Sequence, residues 1–336
     1  MAIVGLGPHG ERASPPERVT LLPQDIESAR SKKLRIAIVM HTLESDWSKH
    51  LVQGIVGVLG ECGAIVIDVV DCRFSPEQQI DALNRLRSEN PDAIISLPVD
   101  NATVAEAHIA ASRAGIKLIL IDNAPIGMLP GKDYVSLVSA DNYGLGKIAA
   151  ELLSSHLPPD STAAVLGYDA DFFASNEREI AFSQWMEINR PDVTVKSTRF
   201  TAIENAGEEA VRLIDCDPEI AGIFVVWDTP CVDVLRAVSE RNLELPISTV
   251  DLGAEVTGNL AEDRGVVGIA AQRPFQQGEA IARTVITSLL NRPCPDWVAL
   301  PGLQVSRSNV IESYQLVWRK PAPRDILLGL EILTST

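Results

Sequence analysis

An alternation of aliphatic runs and amphipathic segments is the main pattern of this chain, and it is clearest between residues 91 and 125. Two short apolar runs, 93–97 and 117–121, flank a segment at 102–113 whose apolar residues recur at helical spacing. Two apolar runs joined by one amphipathic helix predict parallel strands with a right-handed crossover.

Polar residues follow both of these runs. Asp100 and Asn101 come after the first run, and Asp122 and Asn123 come directly after the second. In open parallel sheets, ligands bind beyond the carboxyl ends of the strands. We therefore expect the functional site at this edge of the predicted sheet.

The same alternation extends over residues 34–310 and falls into two halves. In the first half it predicts strands at 34–40, 65–70, 93–97, 117–121 and 134–138, and helices at 47–61, 76–90 and 102–113. In the second half it predicts strands at 163–166, 193–198, 220–226, 247–250 and 266–270, and helices at 142–156, 176–189, 205–215, 230–241, 254–262 and 275–291. The predicted fold class is α/β, with two doubly wound parallel-sheet lobes that face each other across a cleft.

Composition and charge exclude several classes of protein. A length of 336 residues suits two lobes better than one. The formal net charge of −16 opposes binding to phosphate backbones, and the chain contains no run of 18 apolar residues. We therefore expect neither a nucleic-acid-binding protein nor a membrane-spanning one.

Candidate catalytic and metal-binding groups are few. The five cysteines are scattered, with no CxxC motif and no histidine at zinc-ligand spacing, which favours inert thiols. Glu44 and Asp46 lie beside His41, but no HExxH, nucleophile elbow or P-loop accompanies them. We expect no enzymatic activity, no bound metal and no cofactor.

Five stretches together resemble the type I periplasmic sugar-binding proteins of the ribose/galactose-binding kind, whose fold is shared with the ligand cores of lac-repressor-type regulators. The stretches are IAIVMHTLESDWSKHLVQGI, PDAIISLPVDNATVAEAHIAASRAGIKLILIDNAP, VSADNYGLGKIAAELL, NEREIAFSQWM and GIAAQRPFQQGEAIA. The resemblance implies three hinge crossovers, near Ser139, Gln272 and Pro301. Lobe 1 would then comprise 34–138 plus 274–300, and lobe 2 would comprise 139–273 plus 301–311.

The two ends of the chain lie outside these lobes. Residues 1–33 contain four prolines among charged residues, which predicts a flexible leader. Residues 312–336 extend beyond the usual end of the family and have no assignment. No secretory signal is visible in the leader, so the sequence leaves open a cytoplasmic protein or a mature form without its signal.

The resemblance also implies a set of ligand-binding positions. Carboxylates accept hydrogen bonds from sugar hydroxyls, arginine donates a fixed fork, and amides do both, while aromatic rings cover the apolar C–H faces. The candidates carried over from the family are Ser45, Trp47, Asp122, Asn123, Arg178, Trp227, Asp228, Asp251 and Gln272. Phe172 and Phe173 stand together in a loop, where either could contact a ligand or, equally, pack between the lobes, and Phe173 is a further candidate for the site.

Structural roles stay open for several of these residues. Asp122 and Asp251 each end an apolar run and could cap a helix or turn. Arg178 could pair with a neighbouring glutamate at the surface, and Gln272 could serve the hinge alone. Trp47 and Trp227 could belong to the core instead of clamping a ligand.

The resemblance therefore implies a monomeric receptor that captures a neutral monosaccharide in the cleft and delivers it to the membrane permease of an ABC importer. Arg178 against Asp122 and Asp251 suggests roughly balanced charge in the cleft. The hypothesis of a receptor implies a periplasmic location. The alternative is the ligand-sensing core of a repressor-type regulator without its DNA-binding headpiece, because a helix-turn-helix unit takes about 50 residues and only 33 precede the first strand.

Overall fold

The structure is a computed structural model that describes residues 2–332. Met1 and residues 333–336, which belong to the predicted leader and C-terminal extension, lie outside the described part. The described residues form two six-stranded sheets packed against helices. The predicted fold class, α/β with two lobes of mostly parallel strands, is confirmed.

Lobe 1 is the first sheet with its helices. Its strands, from one edge to the other, are Ile65–Asp71 (β2), Arg35–Met40 (β1), Ala93–Ser96 (β3), Lys117–Ile121 (β4), Ser136–Ala140 (β5) and Trp297–Leu300 (β11). All neighbouring pairs are parallel. The helices are Pro23–Lys32 (α1), Asp46–Glu61 (α2), Pro76–Glu89 (α3), Ala105–Arg113 (α4) and Pro274–Leu289 (α10).

Lobe 2 is the second sheet with its helices. Its strands, in order, are Thr194–Phe200 (β7), Thr162–Tyr168 (β6), Ile220–Val225 (β8), Ile247–Val250 (β9), Val266–Ala271 (β10) and Leu303–Val305 (β12). β12 runs antiparallel to β10, and the other pairs are parallel. The helices are Asn142–Ser154 (α5), Phe173–Asn189 (α6), Ala206–Cys216 (α7), Asp228–Glu240 (α8), Ala254–Ala261 (α9), Val310–Trp318 (α11) and Arg324–Gly329 (α12).

The chain passes between the two sheets at three places. It leaves lobe 1 at Asp141 after β5, returns through Gln272 after β10, and leaves again at Pro301 after β11. The carboxyl ends of the strands therefore face each other across the passages. Rotation of the lobes about these passages stays a prediction.

Burial explains the aliphatic character of the central strands. Every residue of β3 and β5 is buried, as expected for parallel strands covered on both faces, whereas the edge strand β2 is mostly half-buried. The indole of Trp297 is buried in lobe 1 and donates from Nε1 to the Ser139 hydroxyl at 2.8 Å. This bond satisfies the polar end of the indole inside an apolar core.

The predicted flexible leader contains regular structure between residues 16 and 32. A 3₁₀ turn at Pro16–Val19 and helix α1 each begin with proline, and proline is favoured at the first position of a helix. Val19 and Ala29 are buried in the core of lobe 1. Pro16 and Pro23, which were counted as signals of disorder, therefore each begin a helical element.

Several predicted boundaries also differ from the structure. The strand predicted at 134–138 is Ser136–Ala140, because its pairing with β11 places Leu137 opposite Trp297. α4 begins at Ala105 instead of residue 102, since Asp100 accepts the N–H groups of Ala102 and Thr103 in a turn before the helix. Such side-chain turns compete with the first turn of a helix.

The C-terminal region is helical in its described part. α11 and α12 pack against lobe 2, where Tyr314, Val317, Trp318 and Ile326 are buried in its core. Among residues 2–332, no helix combines the length and the apolar character needed to cross a bilayer.

Two glycines allow α2 and α10 to cross closely in lobe 1. A Cβ atom at Gly54 would collide with the backbone carbonyl of Phe275, and one at Gly278 would collide with that of Leu51. Both neighbours are backbone atoms in packed helices and cannot rotate away. The crossing places the start of α10 directly behind the cleft.

We expect Gly278→Ala to lower the free energy of unfolding by about 1–3 kcal/mol, the usual cost of overpacking. Gly57→Ala is the matched control, because a Cβ atom at Gly57 in the same helix pair meets no atom within 4 Å. Alanine there should leave stability equal or slightly higher. Denaturant unfolding measures both variants, and equal stability of the two would contradict the close crossing.

Candidate functional site

A cavity of about 240 Å³ lies between the lobes, at the carboxyl ends of both sheets. Pockets for drug-sized ligands span about 300–1,000 Å³, so this cavity suits a smaller molecule. Lobe 1 lines it with His41, Thr42, Glu44, Ser45, Trp47, Phe74, Leu97 and Asp122. Lobe 2 and the second passage line it with Tyr168, Phe172, Ala174, Ser175, Arg178, Ile203, Trp227, Asp228, Thr229, Asp251 and Gln272.

The structure brings most of the predicted site residues together. Eight of the ten line the cavity, namely Ser45, Trp47, Asp122, Arg178, Trp227, Asp228, Asp251 and Gln272. They come from six separate loops or helix starts, because parallel strands all end at the same edge. Asn123 and Phe173 do not line the cavity.

Asn123 and Phe173 instead join the two lobes. The Asn123 side chain is buried, donates from Nδ2 to the carbonyl of Pro98 at 3.2 Å, and accepts the backbone N–H of Phe173 at 3.1 Å. Phe172 lines the cavity and also packs against the core of lobe 1. These contacts cross the cleft, so the structure has the lobes closed on each other.

Arg178 is the buried cation of the site. Its Nε donates to Asn142 Oδ1 at 3.0 Å and its Nη1 donates to the carbonyl of Val226 at 2.9 Å. α5 can approach α6 this closely because Gly146 has no Cβ to collide with the Arg178 carbonyl. Burial lowers the pKa of Arg178, and the carboxylates of the cavity oppose that shift. The alternative of a surface ion pair with a neighbouring glutamate is therefore wrong.

Two buried carboxyl groups, those of Asp122 and Asp251, and the half-buried carboxyl of Asp228 face this cation. Burial raises the pKa of Asp122 to about 7, against the attraction of Arg178. Burial also raises the pKa of Asp228 to about 7, and the nearby charge of Asp251 adds to the effect. The pKa of Asp251 is raised by burial as well. Asp228 therefore adds a third carboxyl to the charge balance predicted from Arg178, Asp122 and Asp251.

Neither Asp122 nor Asp251 caps a helix. Asp122 Oδ1 accepts from Gln277 Nε2 at 3.1 Å and from the N–H of Ala140 at 3.3 Å. Asp251 Oδ1 accepts from Gln272 Nε2 at 2.9 Å. Both aspartates have left-handed backbones, with φ of 51° and 73°, a conformation that side-chain-bearing residues rarely adopt and that concentrates at functional sites.

Aromatic rings form both walls of the cavity. On the lobe 1 side, the ring of His41 lies edge-on to Trp47 at 6.1 Å and to Phe74 at 4.9 Å. On the lobe 2 side, Trp227 lies edge-on to Tyr168 at 5.4 Å. The two tryptophans therefore lie on opposite lobes, each held by its aromatic neighbours.

Three polar atoms of the cavity residues have no hydrogen-bond partner within the described part of the chain. They are Nδ1 of His41, Nε1 of Trp47 and Oε1 of Gln272, and each is buried. Burial lowers the pKa of His41 to about 3, so the imidazole is neutral. Buried polar groups without partners are costly, and a polar ligand in the cavity would supply the missing bonds.

His41, Phe74 and Tyr168 line the cavity although they were not among the ligand-binding residues predicted from the sequence. His41 directly follows β1, Phe74 lies three residues beyond β2, and Tyr168 ends β6. The signal was therefore present as an aromatic residue at the end of a strand. Composition alone could not show that these ends converge on one cavity.

The described residues hold no group of three or more histidine, cysteine, aspartate or glutamate side chains arranged to bind a metal ion. All five cysteines are free thiols. Burial raises the pKa of Cys72 to about 12, which keeps that thiol protonated and unreactive.

Comparison with solved structures shows the same fold. A solute-binding protein of an ABC transporter from Agrobacterium vitis, bound to α-D-tagatopyranose, matches with a TM-score of 0.79 and 21% identity, over 87% of this chain and 100% of that one. A solute-binding protein of a carbohydrate transporter from Agrobacterium radiobacter, in complex with D-arabinose, matches with a TM-score of 0.76 and 17% identity, over 85% of this chain and 99% of that one. A solute-binding protein of an ABC transporter from Mycobacterium smegmatis, with bound glycerol, matches with a TM-score of 0.75 and 20% identity, over 84% and 96%.

Comparison by sequence adds the family. No curated protein matches the sequence. The family model of the periplasmic binding protein domain matches residues 36–292, which include every residue that lines the cavity. Since this match covers most of the chain, the protein belongs to the periplasmic binding protein family.

Proposed function

We propose that this protein is a solute receptor that captures a neutral monosaccharide or related polyol between its lobes and delivers it to the permease of an ABC importer. The observation that carries the proposal is the convergence of three carboxyls, one guanidinium and two opposed tryptophans on a cavity of about 240 Å³. The named ligands of the three solved neighbours, a ketohexose, a pentose and glycerol, are all polyhydroxy compounds.

The chemistry of the cavity walls supports a polyhydroxy ligand. The carboxyl oxygens and Gln272 Oε1 are acceptors, and hydroxyl groups donate to acceptors without bringing a charge. Arg178 and the indole N–H of Trp47 are donors for the oxygens of the same hydroxyls. Trp47 and Trp227 on opposite walls would cover the weakly apolar C–H faces of a sugar ring.

A neutral ligand is also consistent with the charge of the cavity. Near pH 7, a carboxyl with a pKa of about 7 is half protonated, and this holds for both Asp122 and Asp228. Protonation of these groups reduces the excess of negative charge opposite Arg178. A sugar phosphate or sugar acid would add anionic charge beside three carboxyls and be repelled.

The arrangement of the lobes supports capture by closure, because a ligand that touches both lobes lowers the free energy of the closed form. A receptor of this family would act outside the cytoplasmic membrane, as a monomer that meets its permease there. The repressor-core alternative is less well supported, because the three solved neighbours are solute-binding proteins of transporters.

A thermal-shift screen over pentoses, hexoses and polyols tests the proposal. We expect at least one compound to stabilise the protein by about 2.7 kcal/mol at one hundred times its dissociation constant. The corresponding sugar phosphate should give no shift. If no sugar or polyol raises the melting temperature, the proposal of a sugar receptor is wrong.

Trp47→Ala and Trp227→Ala test the aromatic clamp. Each should weaken binding of the best compound by at least about 1.5 kcal/mol, the scale for burying a large apolar side chain. Calorimetry measures the change, and Trp185→Ala serves as the control, because Trp185 packs on the lobe 2 core and does not line the cavity. Unchanged affinity in two folded cavity variants would assign both tryptophans to the core.

The buried carboxyls predict a pH dependence of binding. Hydroxyl donors favour the ionised form of Asp122 and Asp228, so binding lowers both pKa values from about 7 and releases protons. Affinity should rise from pH 6 to pH 8, by up to about tenfold per carboxyl per pH unit below its pKa. Calorimetry in buffers of different ionisation enthalpy counts the protons, and Asp228→Asn should reduce the count. A flat affinity over this range would contradict the assignment.

A further inference from the structure

Both terminal segments of this chain lie outside the region that the family model matches, residues 36–292. The match to the Agrobacterium vitis protein covers all of that protein but 87% of this chain, so this chain carries residues without a counterpart there. We propose that these two segments brace the hinge, holding the ligand-free protein near its closed arrangement and slowing release of the ligand.

The first brace is the N-terminal strap, residues 2–20. It is anchored in lobe 1 by Ser14, whose N–H donates to the carbonyl of Trp297 at 2.9 Å and whose carbonyl accepts the N–H of Ala299 at 3.1 Å. Val19 adds to the anchor, because it is buried in the lobe 1 core. The strap therefore extends the edge of the first sheet at β11.

The other end of the strap reaches the first passage between the lobes. The carboxylate of Asp141 accepts the N–H of Val4 at 2.7 Å and of Gly5 at 3.0 Å. The same carboxylate caps α5 of lobe 2, accepting the N–H of Gly144 at 2.9 Å. The strap thus ties lobe 1 to the first helix of lobe 2.

The strap also covers the other two passages. Ile3 and Pro15 line a second cavity together with Arg273 and Pro301, which belong to the second and third passages. The guanidinium of Arg273 donates to the carbonyl of Pro301 at 3.0 Å, so these two passages are joined beneath the strap. Movement at any of the three passages changes the surface on which the strap lies.

The second brace runs in the opposite direction, from lobe 2 to lobe 1. Trp318 at the end of α11 is buried in the lobe 2 core, and its Nε1 donates to the carbonyl of Leu252 at 2.9 Å. Its ring lies 5.2 Å from that of His50 on α2 of lobe 1. The guanidinium of the next residue, Arg319, lies 3.9 Å from the ring centre of Phe275 on α10.

An ion pair completes the second brace, with Arg319 Nη2 3.6 Å from Glu279 Oε2 on α10. The residues that make these bracing contacts do not line the ligand cavity. They are present together with the Asn123–Phe173 hydrogen bond that closes the cleft. Contacts of this kind shift the balance between open and closed forms without any ligand, and a larger closed fraction raises apparent affinity.

The experiment uses one substitution in each brace. Gly5→Ala places a Cβ atom 2.6 Å from Asp141 Oδ1 and 3.0 Å from Tyr143 Cβ, which forces the strap away from the first passage. Arg319→Asn removes the guanidinium and keeps a residue that tolerates the left-handed backbone at this position, where φ is 50°. The matched controls are Gly60→Ala, where an added Cβ meets no atom within 4 Å, and Arg324→Asn at an exposed position of α12.

Small-angle scattering of the ligand-free protein should give a larger radius of gyration for each brace variant than for its control. Stopped-flow release of the compound that stabilises the protein most in the sugar screen should be about threefold to tenfold faster, the effect of losing one or two hydrogen bonds. Radii that equal those of the controls would overturn the bracing of the free protein. Unchanged release rates would overturn the effect on release.

The release measurement rests on the proposed function, whereas the scattering measurement does not. If no sugar or polyol binds, the receptor proposal fails, and the ligand-free radii still decide whether the segments brace the hinge. Melting temperatures of all four variants show whether each of them is still folded. If one brace variant melts far below its control, the variant in the other brace, which lies on a different segment, decides the test.

Discussion

The site depends on one geometric constraint, which is that parallel strands all end at the same edge of their sheet. Two such edges face each other here because the chain crosses between the sheets three times at that edge. Eight residues of the candidate site, spread from Ser45 to Gln272, consequently line one cavity. In lobe 1, α2 and α10 pack closely against each other where they cross at Gly54 and Gly278.

Within that geometry, burial of charge sets the chemistry. One guanidinium and three carboxyls share a cavity with aromatic walls, and burial shifts the pKa of each toward the neutral form. The protein neighbours of Arg178 are neutral oxygens, those of Asn142 and Val226. The groups therefore remain available to a ligand, whose own donors and acceptors would replace the water that closure excludes.

The contacts that hold the lobes together are separate from the contacts available to a ligand. Asn123 closes the mouth of the cleft with the N–H of Phe173, while Asp141 and Arg319 act at the hinge side. Because these groups lie outside the cavity, they can tune the equilibrium between lobes without altering which ligand fits. The terminal segments thus add contacts at the hinge to the fold that the family shares.

The sequence by itself determined the α/β class and the two lobes, because aliphatic periodicity and polar strand ends are local properties of the chain, and its resemblance to a known family indicated eight of the residues that line the cavity. Only the tertiary structure decided the rest. It assigned Asn123 and Phe173 to the contact between lobes, added His41 and Tyr168 to the cavity, and ordered the N-terminal segment. The physical reason is that these roles depend on which strand ends and segments meet in space, and such contacts join residues far apart in the chain, 50 positions for the bond from Phe173 to Asn123 and 137 for the bond from Val4 to Asp141.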